Sequence, residues 1–358
     1  MSKNKLDETD QILVHTARSI LLITALFMIC SAILISVFLW NGEEKKNLTD
    51  TPQILTDQIA SPRKKTVPVS SADQDWKAPD ENTIPAGKAG EMIRYGKDLI
   101  ANTAKYFGPN GSVAAISNGM NCQNCHLQGG TKIFGNNYAV FFTSYPKKSN
   151  RSGQVVPASN RIAECFERSL AGKFPDASGK EVQAMLVYLK WVGSGVKKGD
   201  EVFGTGFQRL KYMDRPADPQ RGKMIYASKC VSCHGEHGEG VRTADQANYT
   251  YPPLWGEHSY NDAAGMYRLS NFAGFVKNNM PFGATYKDPQ LTDEESWDLA
   301  AFVNSQPRKH KDQHKDYPDL TKKPIDAPFG PYGDQFTKTQ HKYGPYQPIA
   351  DYYKSYKK

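Results

Sequence analysis

Despite a formal net charge of +8, the 358-residue chain has no Arg-rich stretch interleaved with aromatics, and this excludes a nucleic-acid surface. Nor does it have the composition of a disordered protein, because 39% of its residues are apolar and its length leaves room for two ordinary domains. Cysteine is sparse, with six residues in all. Four of them form two Cys-x-x-Cys pairs, yet no further Cys or His pair stands nearby to complete a zinc tetrad. A βαβ pattern around either pair, which a thioredoxin-like redox motif needs, is also missing. Finally, "FLWNGEE", which closes the one long apolar run, contains no small-x-small cleavage site.

That run, Ser19 to Trp40, is 22 residues without a charge. At about 1.5 Å per residue it spans roughly 33 Å, enough for a bilayer core, so residues 1–40 are expected to be a cytoplasmic stub and an uncleaved transmembrane anchor. Cys30 lies mid-span and reads as a buried apolar cysteine. Residues 41–85 are polar and Pro-bearing and read as a tether, with Trp76 as a point that docks on the head.

Two segments then share one pattern of helix, Cys-x-x-Cys-His, loops and helix. The first, 86–205, begins with a helical pattern through Met92, Ile93, Leu99 and Ile100, and its last helix is expected to open on a Ser178–Glu181 capping box. The second, 206–307, opens on Asp218 and Pro219 and closes with a helix capped by Thr292 and Glu295. The expected fold is mostly α, with two cytochrome c-type haem domains in tandem behind the anchor. From 308 to 358 a Lys, Tyr and Pro-rich extension carries eleven Lys/Arg against six Asp, a balance that suits anionic ligands or acidic partners. It reads either as a loose tail or as a strap across both domains.

Cys122, Cys125 and His126, and again Cys230, Cys233 and His234, are two copies of the c-type haem attachment sequence. Two thiols join the vinyl groups on one porphyrin edge, and the adjoining His reaches the iron. Two covalently attached haem c groups are therefore expected. Haem attachment of this type takes place outside the cytoplasm, so the head is expected in the periplasm, held at the bacterial inner membrane. For the second iron the sixth ligand is expected to be Met280 in "NNMPFGATY", with Lys277 and His258 as competitors. Met213 and Met266 read as core fillers.

No Met-Pro loop occurs between His126 and Ser178; Cys165 stands there instead. Read as a helix, "RIAECFERSLAGK" places Arg161, Cys165 and Ser169 on one face at i, i+4 and i+8. Two readings of Cys165 stay open. One is a buried core cysteine. The other is a thiolate favoured by Arg151, Arg161 and Arg168, able to bind ferric iron and to meet a sulfur anion.

"NCQNCHLQGGTK", "RIAECFERSLAGK", "CVSCHGEHGEG", "NNMPFGATY", "DAPFGPYGDQF" and "QHKYGPYQP" together resemble the dihaem thiosulfate dehydrogenase family, some of whose members run in reverse as tetrathionate reductases. The resemblance runs from about Trp76 to Ile349. It implies that Cys165 is both the distal ligand of a catalytic haem and the substrate-reactive thiolate. It further implies that Arg151, Arg161 and Ser169 hold the anion, that Met280 ligates an electron-transfer haem, and that the C-terminal strap is ordered. Where some relatives carry Lys directly before that Met, this chain has Asn279. Implied partners are thiosulfate, tetrathionate and a periplasmic electron acceptor or donor such as a small cytochrome c. The rival reading is a membrane-tethered dihaem electron shuttle with a structural Cys165. A dihaem peroxidase fits less well, because it needs an open iron site and has no use for an arginine-lined thiolate.

Overall fold

Each half of the head is built on one close helix pair, and a glycine sets the approach in both. A computed structural model describes residues 75–355 together with Thr24 and Met28. The expected membrane helix over 19–40 and the tether as far as residue 74 lie outside the described residues, apart from Thr24 and Met28, which are helical. Among the described residues no helix is long and apolar enough to cross a membrane. Contacts divide the chain into Met1–Arg63 and Lys64–Lys358, and the helices of the head all belong to the second unit.

In the first half, α1 (Gly87–Ala101) is followed by the short α2 (Thr103–Phe107), then α3 (Ala158–Glu164) and α4 (Lys180–Val192). Ile93, Leu99 and Ile100 recur on one face of α1, and they bury against Val182, Met185 and Leu189 of α4 in the first core. The second half repeats the scheme with α5 (Pro219–Lys229), α6 (Leu269–Asn279) and α7 (Asp293–Ser305) around Leu269, Phe272, Trp297 and Leu299. Where α1 meets α4, a Cβ on Gly96 would lie 2.0 Å from the Ala184 carbonyl oxygen; where α5 meets α7, one on Gly222 would lie 2.0 Å from that of Asp298. The backbones touch only because the side chain is missing.

Gly96→Ala is therefore expected to destabilise the protein. Ala gains up to about 1 kcal/mol of helix propensity, but forcing the two helices apart costs about 1–3 kcal/mol. Urea denaturation of the haem-loaded chain checks the sign, and an unchanged or higher midpoint would contradict it.

Two caps form as expected. Asp218 accepts from the Gln220 and Arg221 amides with Pro219 in the first turn, and Thr292 and Glu295 cap α7 reciprocally. The Ser178–Glu181 box does not form. Gly179 occupies the cap of α4, the Ser178 hydroxyl donates to Asp176, and Glu181 instead accepts the Tyr95 hydroxyl at 2.9 Å. Residues 75–85, expected within the tether, pack on the head because Trp76 and Ile84 are buried in the first core. Among the described residues strand content is limited to two antiparallel ribbons, β1 (Lys147–Lys148) with β2 (Val155–Val156), and β3 (Val241–Arg242) with β4 (Tyr249–Tyr251).

Beyond α7 the chain touches both halves. Lys311 pairs with Glu167 at 3.2 Å, and Asp316 takes both Arg151 and Arg168. Further on, Asp326 accepts from Arg268 and Ser270 of the second half, and Ile349, in α9 (Gln347–Ser355) after α8 (Lys338–Tyr343), is fully buried in the second core.

The Asp326 anchor carries a pH dependence. Burial pushes its carboxyl up, but the charge of Arg268 and the hydrogen bonds from Ser270 and Arg268 outweigh this and hold it below its ordinary 3.8. A carboxyl depressed in the folded state contributes stability that is complete above the unfolded value and is lost as pH falls through the folded one. Asp326→Asn is accordingly expected to flatten the fall in stability below about pH 4. Urea midpoints measured across that range check this, and parallel slopes for parent and variant would refute it.

Candidate functional site

The chain between His126 and α4 wraps a cavity of about 290 Å³ whose wall includes Cys122, Cys125, His126, Arg161, Cys165 and Ser169. Arg161 sits in α3, and that helix does not continue with its ordinary period. At Cys165 it passes into a π-turn, Cys165–Ser169, whose closing bond runs from the Leu170 amide to the Cys165 carbonyl at 2.9 Å. A wider turn of this kind changes the helical phase. Cys165, Phe166 and Ser169 all line the cavity, and Phe166, fully buried in the first core, meets Phe107 edge-on at 5.2 Å.

Arg161 donates to Glu164 at 2.9 Å. Cys165 first, and Glu164 after burial has opposed it, raise the guanidinium above its already high ordinary value. Arg161 thus carries its charge into the cavity wall. Arg151 does not line this cavity. Its guanidinium donates to Asp316 at 2.6 Å and lies 3.8 Å from Glu164, with Arg168 on the same Asp316 at 2.9 and 3.0 Å. The structure therefore brings Arg161, Cys165 and Ser169 together with the first Cys-x-x-Cys-His set and leaves Arg151 outside, held by two carboxylates.

The second set lines a separate cavity of about 420 Å³, where Cys230, Cys233 and His234 stand with Met280. Met280 follows the last residue of α6, and its amide closes that helix on Val276. Neither competitor reaches the cavity wall. Lys277 donates to the Leu291 carbonyl at 2.7 Å and pairs with Asp293 at 2.9 Å, while His258 is exposed. Met266, expected as core filling, is buried but forms part of both cavity walls, as do Met120, Asn121 and Cys125. The two cavities are neighbours across these four residues.

Both sets fit a haem c on their chemistry. His126 Nδ1 lies 2.6 Å from the Asn136 carbonyl oxygen, and His234 Nδ1 lies 2.9 Å from that of Pro252. A carbonyl can only accept, so each Nδ1 carries the proton and each Nε2 has the lone pair that an iron needs, although that of His126 accepts from the Asn136 side-chain amide at 3.3 Å. Burial keeps both rings neutral, with His126 lowered to about 4 and His234 shifted the same way. Burial also pushes the Cys122 and Cys125 thiols up to about 12. The His126 ring stacks on Tyr138 with centroids 4.4 Å apart. The carbonyl partners Asn136 and Pro252 carry no signature in the sequence, since each meets its His only through loop geometry, whereas Glu164 stands three residues after Arg161 on α3, a helical spacing the sequence does offer.

A family model for cytochrome c matches residues 219–307. The chain is 33% identical over 65% of its length to a thiosulfate dehydrogenase of Stutzerimonas stutzeri, covering 73% of that protein. It is 36% identical over 63% of its length to a thiosulfate dehydrogenase of Allochromatium vinosum, covering 81% of it. A solved structure of thiosulfate dehydrogenase TsdBA from Marichromatium purpuratum superposes with a TM-score of 0.61 at 31% identity. That match covers 66% of this chain and half of the solved one.

Proposed function

The chain belongs to the thiosulfate dehydrogenase family, whose members oxidise thiosulfate and carry haem c, and from that premise we propose that it joins two thiosulfate dianions into tetrathionate at the cavity of Cys165. One observation carries the reading: Cys165, Arg161 and Ser169 share a single cavity wall with Cys122, Cys125 and His126.

In this reading two haem c groups are present. His126 and Cys165 would hold one iron, and His234 and Met280 the other. When bound, the two haems supply sinks for one electron each. The chain's own residues do the rest. The Cys165 thiolate forms a sulfur–sulfur bond with the outer sulfur of one thiosulfate, releasing two electrons and leaving a Cys165–S–S–sulfonate. The outer sulfur of a second thiosulfate then attacks the outer sulfur of that adduct. Tetrathionate leaves, and Cys165 regains its thiolate and its electron pair. The reverse sequence, with two electrons supplied, is tetrathionate reduction.

Bringing two dianions to 4 Å costs about 4 kcal/mol even in water, counted as four unit-charge pairs of about 1 kcal/mol each. Arg161 offsets part of this cost, and Ser169 can donate a hydrogen bond to a sulfonate oxygen. The same reading keeps the head in the periplasm, tethered to the inner membrane through residues 19–40, with a small cytochrome c as the electron partner. An electron shuttle with a structural Cys165 is disfavoured, because Cys165 shares its wall with the charged Arg161 and the hydroxyl of Ser169 as well as with apolar Phe166, a polar setting that a filler cysteine does not need.

The test is direct. Haem-loaded protein given thiosulfate and ferricyanide is expected to yield one tetrathionate for every two ferricyanide reduced. Reduction without tetrathionate, or no reduction at all, would overturn the reading.

A further inference from the structure

Two dianions call for more positive charge than Arg161 alone, and the arginines nearest in sequence are already committed. Asp316 occupies Arg151 and Arg168, and Glu164 offsets part of Arg161. One further cation stands on the same wall. Lys147, in β1, lines the cavity with Arg161, Cys165 and Ser169, and among the described residues its ammonium makes no ion pair. The β1–β2 ribbon holds it there, with Lys147 opposite Val156 and the turn closed by the Ser149 amide on the Gln154 carbonyl at 2.8 Å. Its ammonium rests over the ring of Tyr145, 4.6 Å from the centroid, and that ring belongs to the cavity wall as well.

Lys147 is exposed to solvent at the cavity and shares its wall with the Arg161 guanidinium, so the two like charges leave the empty cavity positive. Partial burial first, then the charge of Arg161, press Lys147 below its ordinary value, while Glu164 opposes them. An anion placed between two such cations relieves their repulsion as well as binding to each, so a cavity that is positive when empty favours occupation. A dianion with three outward oxygens suits both partners, since Arg offers a planar fork and Lys a compact charge with three donors.

We propose that Lys147 is a second substrate-binding cation of this cavity, holding the sulfonate group of a thiosulfate dianion alongside Arg161 in the part that sequence reasoning gave to Arg151. The assignment rests on the Cys165 chemistry proposed above for its choice of anion. It makes the ribbon 147–156 a part of the binding site.

Binding is measured without turnover by titrating thiosulfate calorimetrically into haem-loaded protein carrying Cys165→Ser. Adding Lys147→Gln is expected to weaken thiosulfate about tenfold or more, the loss expected for one charge-assisted hydrogen bond. Lys147→Arg is expected to restore affinity to within about threefold of the parent, since the charge is retained. With Cys165 intact, Lys147→Gln is expected to raise KM by a like factor with kcat little changed, and to reduce the salt dependence of KM. Unaltered thiosulfate affinity in Lys147→Gln overturns the proposal. So does a loss that Lys147→Arg fails to restore, because the role would then be steric. Turnover by Cys165→Ser would instead strike the underlying mechanism, so the two failures are distinguishable.

Discussion

Cys165→Gly is expected to lower thiosulfate oxidation by at least about 1,000-fold, the scale on which loss of a covalent nucleophile is felt. Among the described residues no other thiol can take its place. Cys122 and Cys125 share the cavity, but both are neutral thiols with pKa values near 12. Both are also consumed when a haem c is attached. The substitution leaves the attachment residues untouched, so the haem content of the purified variant should equal that of the parent. The backbone at Cys165 is ordinary right-handed helix, with φ −69° and ψ −43°, so Gly fits there at a cost of about 1 kcal/mol. Ferricyanide reduction, tetrathionate yield and haem content, measured together, separate lost chemistry from lost folding. Near-parental turnover in a fully haem-loaded variant would remove Cys165 from the mechanism.

The second large effect concerns stability. Asp316→Ala is expected to cost about 3–5 kcal/mol of unfolding free energy, because it leaves two mostly buried guanidiniums without their carboxylate. Asp316 accepts from Arg151 at 2.6 Å and from Arg168 at 2.9 and 3.0 Å, and side-chain exposures of 13%, 17% and 9% for the three residues mean little solvent is at hand to replace it. Glu164 still faces Arg151, but at 3.8 Å and already engaged with Arg161. Removing two of the charges together should cost less. An Arg168→Met, Asp316→Leu double variant is expected to recover the Arg168 share of the loss, since apolar replacement of a buried pair is often neutral, while Arg151 keeps only Glu164. Urea denaturation of the haem-loaded proteins measures both. A single variant as stable as the parent would show that Asp316 does not hold the C-terminal segment to the first half.

These pairings separate what is local in the chain from what is not. Asp218 with Pro219, and Thr292 with Glu295, were legible because a cap and its amides lie within three residues. The same spacing misled at Ser178, where Asp176 lies closer and Tyr95, 86 residues upstream, claims Glu181. Arg161, Cys165 and Ser169 were legible as one face, although the π-turn that delivers Cys165 and Ser169 to the cavity is not encoded by a 3.6-residue period. Arg151, which the resemblance offers as an anion holder, is paired with Asp316, while Lys147, which the sequence did not single out, lines the cavity. A row of arginines shows how much positive charge is present but not which carboxylate will meet each one, and Asp316 comes from 165 residues further on.

The sequence by itself determined the attachment chemistry, the two repeated helix pairs and the presence of one thiol, Cys165, in the head outside the haem motifs, because each depends on residues a few positions apart in a chain of fixed geometry. Only the tertiary structure decided which charges reach the Cys165 cavity, that Met266 and Cys125 stand between the two cavities, and that the segment after α7 fastens on both halves through Asp316 and Asp326. The physical reason is range. Caps and covalent motifs act within a turn or two, whereas ion pairing and burial are settled only when distant segments compete for the same partner in a crowded interior.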